Sequence, residues 1–430
     1  MQPASGSKGA WDGIATRPGR PMSHETATPR VPVDDPASRP RVTLLPARHR
    51  RAEMGHPWIY ANELHMDEAT RRLAPGGLVT LQRADDSVLG VAMFNPHSLL
   101  AARLLDRDAA RPIDRRFLVR RIERALRLRQ RLFAAPYYRL VHAEADGLPG
   151  LVIDRFGAVL AVQSNAAGIA RLESLVIEAL TTLLQPRAIV LRNDSPARAQ
   201  EGLPTETRVA LGALEERVLV HEDGAVFPVD PLGGQKTGWF FDQRDNRLLV
   251  AGLADGARML DLYCGCGGFA IQAARQGAAA VLGIDRSEPA LALASAAAAL
   301  NAVEPSCSFR RAEVFGEAAR LAAAGERFDL VVADPPAFAK SRREVPAALR
   351  GYRKLARLAA SLTAREGILM LASCSYHIGA ADFAAAVRAG LADAGRSFRV
   401  LHDGAAAADH PVHPALPETA YLKARVLALD

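Results

Sequence analysis

Four cysteines in 430 residues are too few for a disulfide framework in a chain of this length. They suit a reducing compartment, where a cysteine is either catalytic or simply packed. Long apolar runs are missing as well. The most apolar stretch, Leu291–Leu300, is rich in alanine and well short of the roughly 20 residues that cross a bilayer. The hydrophobic fraction of 49% is inflated by alanine and does not indicate a membrane protein. No apolar segment stands between a basic start and a cleavage site, so secretion is not expected and a cytoplasmic location is. Cys264-x-Cys266 has no second Cys or His pair at ligand spacing, so no metal is expected and both read as loop packing. Acidic residues are outnumbered, 47 against 54 Lys and Arg, for a net charge of +7. That balance favours a polyanionic partner, nucleic acid foremost.

At this length two or three domains are expected. Residues 1–40 are rich in Pro, Ser, Gly, Thr and Arg, lack apolar periodicity and read as a disordered tail, with Met22 as an alternative start. Short β-prone runs separated by turn residues predict a small β barrel over residues 41–108. In the Arg-laden stretch Arg111–Arg131 that follows, Leu118, Ile122, Ala125 and Leu126 fall at helical spacing, which predicts an amphipathic helix with an arginine face. Strands over 138–141, 150–154, 158–163 and 188–192, with a helix over 169–184, complete a central α+β domain over 109–225. From 226 to 430 strands and helices alternate. Strands are expected at 258–263, 279–285, 308–311, 329–333 and 367–372, with helices at 269–276, 288–301, 317–323, 352–363 and 380–394. The fold class is therefore α/β, a doubly wound Rossmann-like parallel sheet preceded by the barrel and the central domain.

Chemistry-bearing residues gather at the ends of those strands. Asp261 closes an apolar strand, and Gly265, Gly267 and Gly268 form the turn into the next helix. Glycine there lets the backbone approach a ligand at the carboxyl edge of the sheet. Asp285 ends the following strand, where an acid bridges ribose hydroxyls in nucleoside-binding sheets. A dinucleotide site is the rival, but the spacing is G-x-G-G followed by Phe269, without the third glycine of that fingerprint. An acid opening the loop suits a cofactor with a cationic amino-acid tail, which points to S-adenosylmethionine. Glu313, ending the third strand, is the adenine-side candidate. Tyr263, Arg286, Gln243 and Arg244 join the candidate cofactor-binding set.

Asp334-Pro335-Pro336-Ala337-Phe338 follows another apolar strand. Two prolines fix an extended turn, Asp334 can hydrogen-bond a base, and Phe338 offers a stacking surface. Ser373-Cys374-Ser375 follows the next strand, so the sheet sets it beside Asp334. Carbon 5 of cytosine is a poor nucleophile. A thiolate adding to carbon 6 makes carbon 5 enamine-like and able to take a methyl group, and cysteine both attacks and leaves readily. Cys374 is the candidate nucleophile.

Together these segments, with Gln235-Lys-Thr-Gly-Trp-Phe-Phe-Asp-Gln-Arg-Asp-Asn-Arg247, His142–Gly150, Val152–Phe156 and Asp409–His413, resemble the bacterial large-subunit ribosomal RNA cytosine-5 methyltransferase family. The resemblance runs from about residue 41 to the C-terminus. It implies a PUA domain, a central α/β domain and a class I methyltransferase domain. It further implies that Cys374 is the nucleophile and that Asp261, Asp285, Glu313 and Asp334 contact cofactor or base. Gln235–Gly238 and Arg244 line the active site in this likeness, with the catalytic candidate Lys236 near the target nucleotide. Trp58 and nearby arginines become RNA contacts, large-subunit ribosomal RNA the partner, and a homodimer is compatible. Other RNA cytosine-5 methyltransferases carry a second cysteine in the Asp334 segment. Here Ala337 stands there, so another base must release the product. Two rivals stay open: methylation at a ring or exocyclic nitrogen with Cys374 a bystander, and a non-catalytic RNA-binding assembly factor.

Overall fold

The computed structural model describes residues 34–214 and 217–430. The expected tail over residues 1–33, with Met22, lies outside the described residues. Residues 34–40, assigned by sequence to the same tail, are instead folded. Arg39 is buried, pairs with Asp34, and donates to the carbonyls of Ala109 and Arg111 at 2.7 Å. Asp34 in turn accepts from the Ile113 amide at 2.7 Å. Composition conceals this because the ordering partners lie far along the chain.

The N-terminal sheet comprises β1 (Arg41–Thr43), β2 (Trp58–Ile59), β3 (Gly77–Gln82), β4 (Val88–Phe94) and β5 (Ala102–Asp106), in the order β1-β3-β4-β5-β2. The arginine-rich helix spans Arg115–Leu132, with Asp114 as its N-cap accepting from the Phe117 amide at 2.8 Å. Its apolar stripe of Phe117, Leu118, Ile122, Ala125 and Leu126 is buried. One arginine, Arg129, is buried with that stripe and grips Asp146 through two bonds of 2.7 and 2.8 Å.

The central sheet holds β6 (Tyr137–His142), β7 (Leu151–Phe156), β8 (Val159–Ser164), β9 (Ala188–Asn193) and β10 (Glu206–Gly212), ordered β10-β9-β8-β7-β6. Only β8 and β9 run parallel within it. The single helix expected over 169–184 is two, Ala167–Arg171 and Glu173–Leu184, turned at Leu172. The first docks its backbone on the N-terminal sheet: a Cβ on Gly168 would stand 2.4 Å from the Met93 side chain. A hairpin, β11 (Val218–Glu222) and β12 (Ala225–Val229), leads into the last unit.

That unit is a seven-stranded sheet of β13 (Arg258–Leu262), β14 (Ala280–Asp285), β15 (Cys307–Arg311), β16 (Phe328–Ala333), β17 (Thr363–Ser373), β18 (Phe398–Gly404) and β19 (Lys423–Leu429). The order is β15-β14-β13-β16-β17-β19-β18, and only β19 runs against the rest, so both of its pairings are antiparallel. The parallel part follows from the alternation of apolar strands and helices. Strands β18 and β19 were not expected: 398–404, at the edge, is mostly exposed and lacks an apolar pattern, while 423–429, inside the sheet, carries a buried apolar run that no preceding α-helix marks. Helices 244–251, 268–275 and 288–300 pack against one face, and 314–323, 345–362 and 380–393 against the other. The helix expected over 317–323 begins earlier because Glu313 caps it, and Thr363 opens a strand rather than closing a helix. Strand order reverses between β13 and β16, so a crevice opens at the carboxyl ends of the central strands. Among the described residues no helix is long and apolar enough to cross a membrane.

Candidate active site

The crevice is a cavity of about 810 Å³, within the range that encloses a nucleoside-sized ligand. At its cofactor end, the turn after β13 bends sharply: Tyr263 (φ 65°), Gly265 (φ 53°) and Gly267 (φ 80°) all take left-handed backbone conformations. A non-glycine residue there is strained, as residues at ligand sites often are. Asp285, at the end of β14, accepts from the amides of Gly265 at 3.1 Å and Ser287 at 2.8 Å, and so ties the turn to the next helix. A Cβ on Gly267 would stand 3.1 Å from Ala294 Cβ, so turn and Ala-rich helix meet at the distance their small residues allow. Tyr263, Gly265, Asp285, Arg286 and Glu313, named from the sequence as cofactor-binding candidates, line the cavity.

Asp261 and Gly267 stand behind this wall rather than in it. Asp261 is buried, accepts from the Ala270 amide at 3.1 Å and shapes the loop from below. Burial and then the charge of Asp334 push its carboxyl well above the usual carboxylate range. Glu313 caps the helix 314–323 through the amides of Phe315 (3.1 Å) and Gly316 (2.7 Å). Its expected role as an adenine acceptor must therefore share its oxygens with that cap. Burial pushes the Cys264 thiol well up and that of Cys266 to about 11, which suits packing residues.

Arg244 is not brought to the cavity, contrary to the expectation from its motif. It turns toward the central domain, donating to the Tyr137 carbonyl and lying over the rings of Phe133 and Phe241. One helical turn on, Arg247 takes the cavity wall. It grips Glu222 of the hairpin at 2.7 and 2.8 Å and lies over Trp239. Glu222, wholly buried, also accepts from Trp239 Nε1 at 3.1 Å and pairs with Arg244 at 3.4 Å. Trp58 is also absent from the cavity. Its Nε1 donates to Glu144 at 2.8 Å and joins the N-terminal sheet to the central domain.

At the opposite end, Asp334, Pro335, Pro336, Ala337, Phe338 and Cys374 form the wall. Ser375 locks two strand ends together, its hydroxyl accepting from the amides of Phe338 at 3.1 Å and Ala339 at 3.4 Å. The buried Tyr352 hydroxyl lies 2.9 Å from both Ser373 Oγ and Ser375 Oγ, and its ring packs on Phe338 with centroids 4.6 Å apart. Because β19 pairs antiparallel with β17, Lys423 lies opposite Ser373. It donates to the carbonyls of Ser375 and Ile378 at 2.8 Å and holds the turn that carries the thiol.

The charges at this end are set apart. Burial, then the charge of Asp242, raises Asp334 to about 7, although Lys236 and the Gln243 amide pull the other way. Asn246 Nδ2 donates to Gln243 Oε1 at 2.6 Å, which leaves the Gln243 amino group for Asp334. Asp242 goes the other way. Against its burial, Lys236, His410 and the Tyr421 hydroxyl hold it below the usual carboxylate range. Burial raises the Cys374 thiol, with Lys236 opposing and both carboxylates adding. Lys236 (φ 50°) stands 3.7 Å from Asp242 and over the Phe240 ring. Its neighbour Thr237 donates to Asp154 of the central sheet.

The PUA-like domain family matches residues 42–107, and the S-adenosylmethionine-dependent methyltransferase family matches residues 165–427. The chain belongs to the S-adenosylmethionine-dependent methyltransferase family. Over 391 residues this methyltransferase is 34% identical to ribosomal RNA large subunit methyltransferase I of Shewanella denitrificans, covering 90% of this chain and 98% of that protein. It is 35% identical over 392 residues to the protein of that name from Aeromonas hydrophila, with the same coverage of 90% and 98%. The crystal structure of SMU.776 complexed with SAH matches 90% of this chain and 100% of that one, with a TM-score of 0.78 at 17% identity, which shows a shared fold.

S-adenosylmethionine fits the residues present. The turn at Gly265 has no side chain to fill the cradle, Asp285 faces the cavity, and Tyr263, Pro289, Leu293 and Phe315 supply apolar walls. Reading the methyltransferase from its sequence missed Glu222, Asp242, Arg247, Tyr421 and Lys423. Asp242 and Arg247 lay inside the Gln235–Arg247 motif, and their polarity in an otherwise buried run was the available signal. Glu222, Tyr421 and Lys423 carry no such signal, since pairing between distant segments brings them here.

Proposed function

We propose that this methyltransferase transfers a methyl group to carbon 5 of a cytidine in large-subunit ribosomal RNA, in the cytoplasm. The RNA class is suggested by the names of its relatives. The choice of atom rests on one observation: of the three thiols that line the cavity, Cys374 is the one that shares a wall with Asp334 and stands close to the charge of Lys236, whereas Cys264 and Cys266 lie in the turn after β13. Bound S-adenosylmethionine supplies an electrophilic methyl group on its sulfonium.

The target base must leave its stack to reach such a cavity. Lys236 favours the Cys374 thiolate, which adds to carbon 6. The displaced electron pair moves toward N3, where protonated Asp334 donates its proton; its elevated pKa keeps that proton available near neutrality. Carbon 5 would then take the methyl group from a sulfonium held at the cofactor end, the S–CH3 bond breaking and its electron pair staying on sulfur. Loss of the carbon 5 proton to a base expels the thiolate, and the N3 proton returns. Phe338 and the two prolines bound the base's plane. The PUA-like domain and the arginine helix hold flanking phosphates.

The test is to incubate the protein with labelled S-adenosylmethionine and ribosomal RNA from cells lacking the gene, then digest to nucleosides. Labelled 5-methylcytidine is the expected product. Label on an exocyclic or ring nitrogen overturns the thiol mechanism and promotes the nitrogen-methylating reading.

A further inference from the structure

We propose that Asp242 is the residue that recognises the 4-amino group of the target cytosine, accepting a hydrogen bond from it through Oδ1; this rests on the carbon 5 reading above. Asp242 lies in the short turn Phe241–Gln243 and lines the cavity, yet it is only 4% exposed. Its backbone carbonyl accepts from the Ala407 amide at 2.9 Å. Its Oδ2 takes the Tyr421 hydroxyl proton and faces Lys236. Its Oδ1 is buried and has no hydrogen-bond partner among the described residues. A buried charged acceptor left unmatched is costly and calls for an explanation. The other such atoms among the described residues, on Arg111, Ser164, Asn165 and Arg192, belong to residues that do not line the cavity.

The chemistry of the missing donor follows from the neighbours. Asp242 is held ionised, so it can only accept. Its charge acts on both Asp334 and Cys374, which places it beside the reacting end of the cavity rather than the cofactor end. A cytosine with carbon 6 at the thiol and N3 at Asp334 presents its 4-amino group next to N3 on the same edge. That amino group is a donor. Uracil offers a carbonyl oxygen there, which an ionised carboxylate repels. The two acids thus divide the base's edge: a proton donor for N3 and a fixed acceptor for the amino group. A site that hydrogen-bonds a substrate group rejects the analogue lacking it, because its own polar atom is then left unpaired.

The test uses an RNA hairpin bearing the cytidine that the product assay identifies, and the same hairpin with pyrimidin-2-one, which lacks the amino group, at that position. Single-turnover methylation of both is measured with the wild type and with Asp242→Asn, and the cytidine-to-pyrimidinone rate ratio is compared between enzymes. Intrinsic reactivity cancels in that comparison. The ratio is expected to fall by about 10- to 100-fold in the variant, the scale of a charged hydrogen bond. Calorimetric titration with S-adenosylmethionine establishes that the variant is folded, and Asp242→Ser repeats the measurement if Asp242→Asn is not. Unchanged ratios overturn the assignment while leaving carbon 5 methylation intact. A wild-type product other than 5-methylcytidine overturns that reading and this one together.

Discussion

In the proposed carbon 5 reaction Cys374 and Asp334 need opposite protonation states, and their surroundings determine when both are available. Asp334 must carry its proton to donate it, and with a pKa of about 7 it does so below neutrality and loses the ability above it. Burial holds the Cys374 thiol above its ordinary value, so thiolate grows as pH rises. The single-turnover rate should therefore rise with pH to a break at about 7, where Asp334 begins to lose its proton, level off while the gain in thiolate offsets that loss, and enter a descending limb only once the thiol is ionised. Asp334→Asn should cost at least about 100-fold, the lower range of general acid catalysis, and abolish that limb. A profile that rises steadily into alkaline pH in the wild type removes Asp334 as the acid. The same shift bears on stability. A free aspartate titrates near about 3.9, so between roughly pH 4 and 7 the folded form binds the extra proton and stability falls as pH rises. Urea titrations of Asp334→Asn should show that slope diminished. Cys374→Ala should lose about three orders of magnitude or more in rate while cofactor affinity, read by calorimetry, stays near wild type.

Elements show where the chain could be read in advance and where it could not. The parallel strands and their helices were legible because buried strands are continuously apolar and each ends on a chemistry-bearing residue: Asp261, Asp285, Asp334 and Cys374. Strands β18 and β19 were not: β18 is a mostly exposed edge strand, and the apolar run of β19, which lies inside the sheet, was not preceded by an α-helix that would mark it as a further parallel strand, and with it went Lys423. Arg244 and Arg247 could not be ranked by sequence, since both sit on one helix and only the helix's rotation decides which faces the cavity. Trp58 was assigned to RNA because the resemblance implies an RNA-binding PUA domain, but Glu144, far along the chain, claims its N–H. The arginine helix was legible as amphipathic, though Arg129 was not separable from its exposed neighbours. Arg115, Arg116, Arg120, Arg124 and Arg131 are exposed and carry no ion pair among those found in the described residues. Replacing Arg116, Arg120 and Arg124 by Gln should flatten the dependence of log affinity on log salt by roughly 0.7 for each phosphate that the variant no longer neutralises. Filter-binding isotherms across a salt series measure this, and an unchanged slope makes the face merely solvated.

At the scale of the whole molecule, the central domain and the methyltransferase sheet share buried charges, and neither can be withdrawn cleanly. Asp154 of β7 is fully buried, takes Arg139 at 2.6 Å, and accepts from Thr237 beside Lys236. Asp409, from the loop before β19, is fully buried and accepts from the Arg139 amide at 2.8 Å, while its carbonyl accepts from Arg129 at 2.8 Å. Separating the two units would keep the pairs Arg139–Asp154 and Arg129–Asp146 but would break the hydrogen bonds from Thr237 to Asp154, from the Arg139 amide to Asp409 and from Arg129 to the Asp409 carbonyl, at a cost of about 1–3 kcal/mol for each buried polar group left unsatisfied. They should therefore unfold together, although a chain of this size would ordinarily unfold domain by domain. Trp239, packed on Phe227 and bonded to Glu222, reports on the methyltransferase side, and far-ultraviolet circular dichroism reports on both. In a variant with Trp11 and Trp58 replaced by Phe, the two signals should share one urea midpoint. Arg129→Ala should lower both midpoints together, by about 3–5 kcal/mol in unfolding free energy. If Trp239 keeps its wild-type midpoint while the dichroism transition moves, the domains are independent and Asp154 cannot be what steadies the Lys236 loop.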